Sequence, residues 1–158
     1  MDLSPRISSG SRSVFQGLIL IALFCVASAA VAEGPPSFLR RPDIHGDRIV
    51  FTSEGDLWKV PVTGGVALRL TAFEGEERFP KISPDGRMIA FTAQYDGNDD
   101  VYVMSASGGE PVRLTYHPAS DQALGWTADG KVLFRSKRDT PHNDNRIYTV
   151  AVGGGIPE

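Results

Sequence analysis

Cysteine and histidine are scarce in this chain. It contains one cysteine, Cys25, and three histidines in 158 residues. Cys25 lies in the amino-terminal segment that we expect to be removed on export, so the mature chain would contain no thiol. This excludes disulfides, thiol catalysis and thiolate metal sites from the mature protein.

An excess of basic residues is also missing. The chain carries 16 basic and 19 acidic residues; loss of residues 1–32 takes away Asp2, Arg6 and Arg12, which leaves 14 against 18 and a formal charge of −4. No basic patch with interleaved aromatic residues occurs, so nucleic acid is not an expected partner. Amphipathic helical periods are absent as well, which argues against a helical protein.

The first 32 residues have the features of an export signal. A basic region with Arg6 and Arg12 precedes an apolar run over residues 14–26, which is too short for a transmembrane helix. Ala30, Val31 and Ala32 form a cleavage site of the A-x-A type. We therefore predict a signal-peptide helix over residues 1–32, a linker over 33–37, and a periplasmic or secreted protein that meets the membrane only during export. The alternative is an uncleaved signal that anchors the protein in the membrane.

What the chain does contain is a repeated β unit, which is clearest over residues 80–115. Its first turn is Ser83-Pro84-Asp85-Gly86, in which proline pre-sets φ and glycine tolerates a positive φ. The flanking segments are apolar, β-branched or aromatic, as strands require. The predicted strands are Lys81 to Ser83, Arg87 to Ala93, Val101 to Met104 and Val112 to Thr115.

Imperfect copies of this unit lie on both sides of it. The aromatic residue of the third strand recurs as Trp58, Tyr102 and Tyr148, at spacings of 44 and 46 residues. Arg-Leu-Thr at residues 69–71 recurs at 113–115, and Gly-Gly recurs at 64–65, 108–109 and 154–155. A period of about 40–45 residues with four strands in each unit is typical of β-propellers.

We therefore predict an all-β fold, a partial β-propeller of about three four-stranded antiparallel blades with WD40-like repeats. The blades cover about residues 38–75, 76–117 and 118–158, the last of them incomplete. A β-sandwich with chance similarities is the alternative. Propellers usually have at least four blades, so we expect a truncated or partial reading frame whose exposed edges would associate.

Most of the polar residues that could suggest a binding or catalytic site are also explained by a structural role. His45, His117 and His142 lie in predicted turns of three different copies. Residues 139–145 form an oxygen-rich loop, yet their spacing matches no calcium-binding pattern. The acidic groups Asp96, Asp99 and Asp100, and Glu74, Glu76 and Glu77, are expected to be solvated loops. We assign no catalytic, cofactor-binding or metal-binding residue.

The aromatic residues give one candidate for ligand contact. Trp58, Tyr102 and Tyr148 recur at the same place in each copy and are expected to pack between blades. Trp126 differs, because it precedes an Asp-Gly turn in the expected innermost strand of the third copy. It could face the central channel of a complete ring, where it would contact an extended peptide.

A stretch near the amino end makes a family resemblance specific. Residues 42–49, Pro-Asp-Ile-His-Gly-Asp-Arg-Ile, followed by Val50-Phe51 and Asp56-Leu57-Trp58, resemble the opening blade of the tricorn protease family. Tyr116-His117-Pro118 after the second copy agrees with it. The Ser-Pro-Asp-Gly turn and the Arg-Leu-Thr ending are shared more widely, with TolB and with the propellers of prolyl-oligopeptidase-like enzymes.

This resemblance implies the amino-terminal propeller part of an exported serine peptidase that degrades oligopeptides. In the family the propellers act as channels to an enclosed active site, and the catalytic residues lie in downstream domains. No position here corresponds to them, so the chain alone is expected to be inactive. Expected partners are peptides, bound through the complete propeller, and the remaining blades and peptidase domains or further copies of this chain. The alternatives are a non-enzymatic, TolB-like periplasmic protein-binding propeller and a gene remnant without activity.

Overall fold

The chain folds into three antiparallel β-sheets that follow one another in sequence. A computed structural model describes residues 38–140, 142 and 144–158. The predicted signal peptide and linker lie outside these described residues. Within the described ranges no helix is long and apolar enough to cross a membrane.

Each sheet is a meander in which neighbouring strands in sequence are neighbours in space. The first sheet consists of β1 (Arg40–His45), β2 (Arg48–Ser53), β3 (Asp56–Pro61) and β4 (Leu68–Arg69). The second consists of β5 (Glu77–Ile82), β6 (Met88–Ala93), β7 (Asp100–Ser105) and β8 (Val112–Arg113). The third consists of β9 (Asp121–Trp126), β10 (Val132–Ser136) and β11 (Arg146–Val150). The predicted all-β fold of successive antiparallel sheets is therefore confirmed, with three strands in the third sheet.

The Ser-Pro-Asp-Gly turn forms as its residues predict. Gly86 adopts φ 72° and donates its N–H to the Ser83 carbonyl at 2.8 Å. The Asp85 carboxylate accepts from the Arg87 N–H at 3.0 Å and from the Ser83 hydroxyl at 2.6 Å. The same turn recurs before β10, where the Gly130 N–H donates to the Thr127 carbonyl at 3.1 Å.

The first strand of the second sheet is longer than predicted. The prediction was Lys81 to Ser83, whereas β5 runs from Glu77 to Ile82. A β-bulge between Arg78 and Lys81 explains the difference, because it places Phe79 at φ 55° and takes Pro80 out of the regular ladder. A similar register shift interrupts β1, between Arg40 and Asp43.

The second sheet is packed on both faces, and two separate cores result. The first junction, between the first and second sheets, is filled by nine buried residues. These are Val50, Leu57, Ile82, Ile89, Phe91, Ala93, Tyr102, Met104 and Ala106. The second junction, between the second and third sheets, is filled by seven. These are Ala90, Val101, Val103, Leu114, Val132, Phe134 and Val150.

Alternate residues of β6 and β7 therefore pack into opposite junctions, because successive side chains of a strand point to opposite faces of the sheet. Phe91 stacks on Tyr102 in the first junction, with ring centroids 6.0 Å apart. Phe134 and Tyr148 form the equivalent pair at the second junction, at 5.7 Å. Tyr102 and Tyr148 thus pack between sheets, as the recurrence of aromatic residues predicts.

Candidate functional site: the inner strands and the blade junctions

The first strand of each sheet faces the side on which the sheets converge. β5 contacts both β1 and β9. Asp43 on β1 reaches across to β5, where its carboxylate lies 3.2 Å from the Lys81 ammonium and accepts from the Ile82 N–H at 2.8 Å. β1, β5 and β9 therefore lie side by side on this surface.

Trp126 lies at the end of β9 and is tied to the neighbouring sheet. Its indole N–H donates to the Lys81 carbonyl at 2.8 Å. Its ring is partly buried and packs against the core of the second junction. The polar edge of the side chain is therefore occupied within the protein, and only the exposed remainder of the ring is available to a ligand.

The three histidines lie apart. His45 is exposed and lies against the Ser-Pro-Asp-Gly turn of the second sheet, where a Cβ added to Gly86 would lie 2.9 Å from its ring. His117 Nδ1 accepts from the Ala119 N–H at 3.0 Å, which makes it a local turn residue. His142 is exposed. Across the ranges that the structure describes, no three His, Cys, Asp or Glu side chains are grouped closely enough to hold a metal ion.

The sequence suggested that Asp96, Asp99 and Asp100 form a solvated loop. This holds for Asp96, whose side chain is 61% exposed, and is wrong for Asp100, which begins β7. Asp99 bonds to the guanidinium of Arg78, and Asp96 and Asp100 both bond to that of Arg113, at 2.7 and 2.6 Å. Asp100 is fully buried. Burial raises its pKa, the charge of Arg113 opposes that rise, and the nearby carboxylate of Asp121 adds to it.

The prediction of a solvated carboxylate is also wrong for Glu77. Glu77 is 0% exposed and lies at the start of β5, inside the first junction. One carboxylate oxygen accepts from the Tyr95 hydroxyl at 2.6 Å and the other from the Thr71 hydroxyl at 2.8 Å. Burial raises the pKa of Glu77, while the two hydroxyl bonds lower it in part.

Glu77 and Asp121 have the same place in successive sheets. The Glu77 N–H donates to the Gly55 carbonyl at 2.6 Å, and the Asp121 N–H donates to the Asp99 carbonyl at 2.8 Å. The buried carboxylate of Asp121 bonds to the buried guanidinium of Arg138. Each junction therefore contains a buried acid at the start of a first strand. Neither Asp121 nor Arg138 stands out in the sequence as a candidate site residue. The sequence signal that could have identified Asp121 is its spacing of 44 residues from Glu77, which equals the repeat length.

Comparisons with known proteins agree with this architecture. Residues 36–158 match the model of the tricorn protease N-terminal β-propeller domain. Tricorn protease homolog 1 of Streptomyces coelicolor is 43% identical over 99 residues, which are 62% of this chain and 9% of that protein. A putative tricorn-like protease N-terminal subunit of Sulfurisphaera tokodaii is 31% identical over 123 residues, 74% of this chain and 62% of that protein.

Solved structures show the same fold. A crystal structure of the tricorn protease aligns with a TM-score of 0.66 and 28% identity over 73% of this chain and 12% of that chain. TolB from Acinetobacter baumannii aligns with a TM-score of 0.66 and 25% identity over 77% of this chain and 32% of that chain. This chain thus spans a small part of the Streptomyces relative and less than two thirds of the Sulfurisphaera one. Because the family model covers most of the sequence, the chain belongs to the family of tricorn protease N-terminal β-propeller domains.

Proposed function

We propose that this chain is the amino-terminal propeller part of an exported, tricorn-like serine peptidase that degrades oligopeptides. The observation that carries the proposal is the family match over residues 36–158, together with the tricorn protease relatives. The propeller contributes a scaffold and a channel for substrate or product. Catalysis belongs to domains that this sequence does not contain.

The inner strands support the channel role. β1, β5 and β9 each lie at the edge of their sheet, so their backbone groups on that side are not paired within it. An extended peptide can bond to such groups whatever its side chains, and this suits a channel that passes many sequences. The bonds from Asp43 and Trp126 to β5 hold the three strands in place beside the channel.

The proposal is tested on the protein encoded by the complete reading frame that contains these residues. A downstream PDZ-like segment and a serine peptidase core are expected, and the purified protein should hydrolyse unstructured oligopeptides. The 158-residue chain alone should hydrolyse none of them. A frame that closes after about six propeller repeats without a peptidase core would contradict the proposal.

The similarity to TolB favours a second candidate, a periplasmic protein-binding propeller. The two functions differ in what the complete protein does to a peptide. A binding propeller would retain proteins from a periplasmic extract and leave unstructured oligopeptides intact. Detection of peptide cleavage that a serine-directed inhibitor abolishes would exclude this second function.

Export is tested separately from activity. We expect expression in a Gram-negative host to give a periplasmic product whose amino terminus is Glu33, read by mass spectrometry of the intact protein. Ala30→Arg together with Ala32→Arg should block cleavage, since signal peptidases require small residues at these positions. A product that retains Met1 and sediments with the membranes would support the uncleaved anchor instead.

A further inference from the structure

A cleft of about 350 Å³ lies where the first and second sheets meet, beside the amino-terminal ends of β1 and β5. Its polar lining is made of three arginines, a threonine and two glutamates. These are Arg40, Arg41, Arg78, Thr52, Glu54 and Glu76. We call it the arginine cleft. It lies away from Trp126, and the proposed function gives it no task.

The repeat brings the arginines to one place. Arg40 pairs with Thr52 in the first sheet, and Arg78 pairs with Thr92 at the same register position in the second. Arg41 follows within the bulge at φ 53°, and its guanidinium lies over the Phe79 ring at 4.3 Å. A guanidinium over an aromatic face can still donate its N–H groups to a ligand.

Two buried polar atoms in the cleft have no partner among the described residues. They are the Thr52 hydroxyl, on a residue only 5% exposed, and the Arg78 Nε. The equivalent hydroxyl at the second junction, on Thr92, accepts from the Ala123 N–H at 2.9 Å. The same hydroxyl position is therefore satisfied by the protein at one junction and not at the other. Buried polar groups are costly to leave unbonded, so these two atoms mark a place for a polar ligand.

The charges limit the ligand to a single negative charge. Arg78 bonds to Asp99 through Nη2 and lies 3.9 Å from Glu76 through Nε. Within the part of the chain that the structure describes, Arg40 and Arg41 have no carboxylate within 4 Å. Two unpaired guanidinium groups attract an anion, whereas Glu54 and Glu76 at the rim disfavour a second negative charge.

We propose that the arginine cleft binds a monoanionic oxyanion group, a carboxylate or a singly charged phosphate ester. One oxygen accepts from Arg78 Nε–H and another from the Thr52 hydroxyl, which together use the two unbonded donors. Arg40 and Arg41 flank the group and supply the compensating charge. This assignment rests on the cleft alone and holds whether or not the complete protein is a peptidase.

The test measures anion binding to the 158-residue chain by isothermal titration calorimetry at constant ionic strength. Sodium acetate and sodium dimethyl phosphate are the two probes, each a monoanion, and the stronger of them identifies the chemical source of the ligand. At least one should bind at one site per chain. Arg41→Gln and Thr52→Val should each weaken that binding about tenfold, the first through loss of a compensating charge and the second through loss of a hydrogen bond to the anion. Arg87→Gln is the matched control, since that side chain is 84% exposed and outside the cleft, and its affinity should equal that of the unchanged chain.

Thr52→Val provides a second readout that does not depend on calorimetry. Without the anion the variant should unfold at a higher temperature than the unchanged chain, because an unbonded buried hydroxyl has become a methyl group. At one fixed anion concentration, the melting temperature of the unchanged chain should rise more than that of the variant, because the variant binds the anion about tenfold more weakly. If neither probe binds, or if Arg41→Gln and Thr52→Val bind the anions as tightly as the unchanged chain does, the proposal is wrong and water satisfies the two atoms.

Discussion

Glu77 carries an ionisable group into the middle of the first junction. Its oxygens accept hydroxyl bonds from Thr71, which follows the first sheet, and from Tyr95, which follows β6. The Thr71 hydroxyl in turn accepts from the Leu57 N–H at 2.8 Å. One side chain therefore joins the end of one sheet to the start of the next, so its protonation state affects the contact between them.

Replacing Glu77 by Gln should change how stability depends on pH. Burial raises the pKa of Glu77 above its ordinary value of 4.5, so the folded protein holds this proton more tightly than the unfolded chain does. Stability from this group is complete below the unfolded pKa and falls as the pH rises through the folded one. We expect the unchanged chain to lose stability relative to Glu77→Gln as the pH rises above the ordinary pKa of 4.5. Urea unfolding of both proteins at three pH values measures this difference in the free energy of unfolding.

Glu76→Gln is the control for this experiment, because its side chain is 64% exposed in the adjacent position. It removes the same charge from the protein and should give a profile parallel to that of the unchanged chain. If the stability of Glu77→Gln also varies with pH in parallel with that of the unchanged chain, Glu77 has the same pKa in the folded and unfolded states. That result would contradict the burial argument.

The sequence did not reveal Glu77 or Asp100 as buried acids. Each lies in a run of acidic and polar residues, which is typical of solvated loops, and partners of each carboxylate lie more than ten residues further along the chain, Tyr95 for Glu77 and Arg113 for Asp100. Burial here depends on tertiary contacts and not on the local pattern. The histidines were predicted more closely, since His117 bonds to the backbone of its own turn.

Among the elements, the first strands were the hardest to predict. β6 and β7 are apolar runs that end at recognisable turns, and their predicted bounds differ from the observed ones by one residue. β5 contains Pro80 and a bulge, and both features count against a strand in a sequence. The bulge, however, is what lets this strand approach the common side of the sheets while it keeps its pairing with β6.

The Arg-Leu-Thr ending of a repeat should matter most where its partner acid is buried. Arg113 bonds at 2.6 Å to Asp100, whose side chain is 0% exposed. Arg113→Leu would leave that carboxylate buried without its countercharge, so we expect a loss of about 3 kcal/mol in the free energy of unfolding. Chemical denaturation of the purified chain measures the change.

The first sheet contains the matched control. Arg69 bonds to Asp56 over the same 2.6 Å, but the side chains are 49% and 11% exposed. Arg69→Leu should therefore cost about 1 kcal/mol or less. Equal losses for the two variants would mean that solvent screens both pairs alike and that burial of Asp100 has no energetic effect.

At the scale of the whole molecule, the repeat made the stacking of sheets predictable. Recurrence of the aromatic and glycine positions at a nearly constant spacing indicated successive meanders, and these are what the structure contains. The contacts between sheets could not be predicted in the same way. The bond from Trp126 to Lys81 and the arginine cleft join residues of different repeats, and no pattern within one repeat specifies them.

The outer face of the third sheet should bind a second copy of the chain. Leu57, Val101 and Ile147 hold the same place in the three sheets, opposite Thr52, Thr92 and Arg135. The next sheet covers the first two completely, whereas Ile147 is 65% exposed. We expect sedimentation velocity to show a mean mass that rises with protein concentration, because this face is apolar at a position that the fold otherwise buries.

Ile147→Glu should reduce that association. The new carboxylate lies opposite Arg135 on β10, so the fold itself can accommodate it. Val66→Glu makes the same change of charge at a residue that is 82% exposed in the first sheet's loop, and it should leave the association as it was. If the unchanged chain is a monomer at every concentration, the outer face does not bind a second copy. If both variants dissociate equally, added negative charge is the cause and the face has no specific part in the contact.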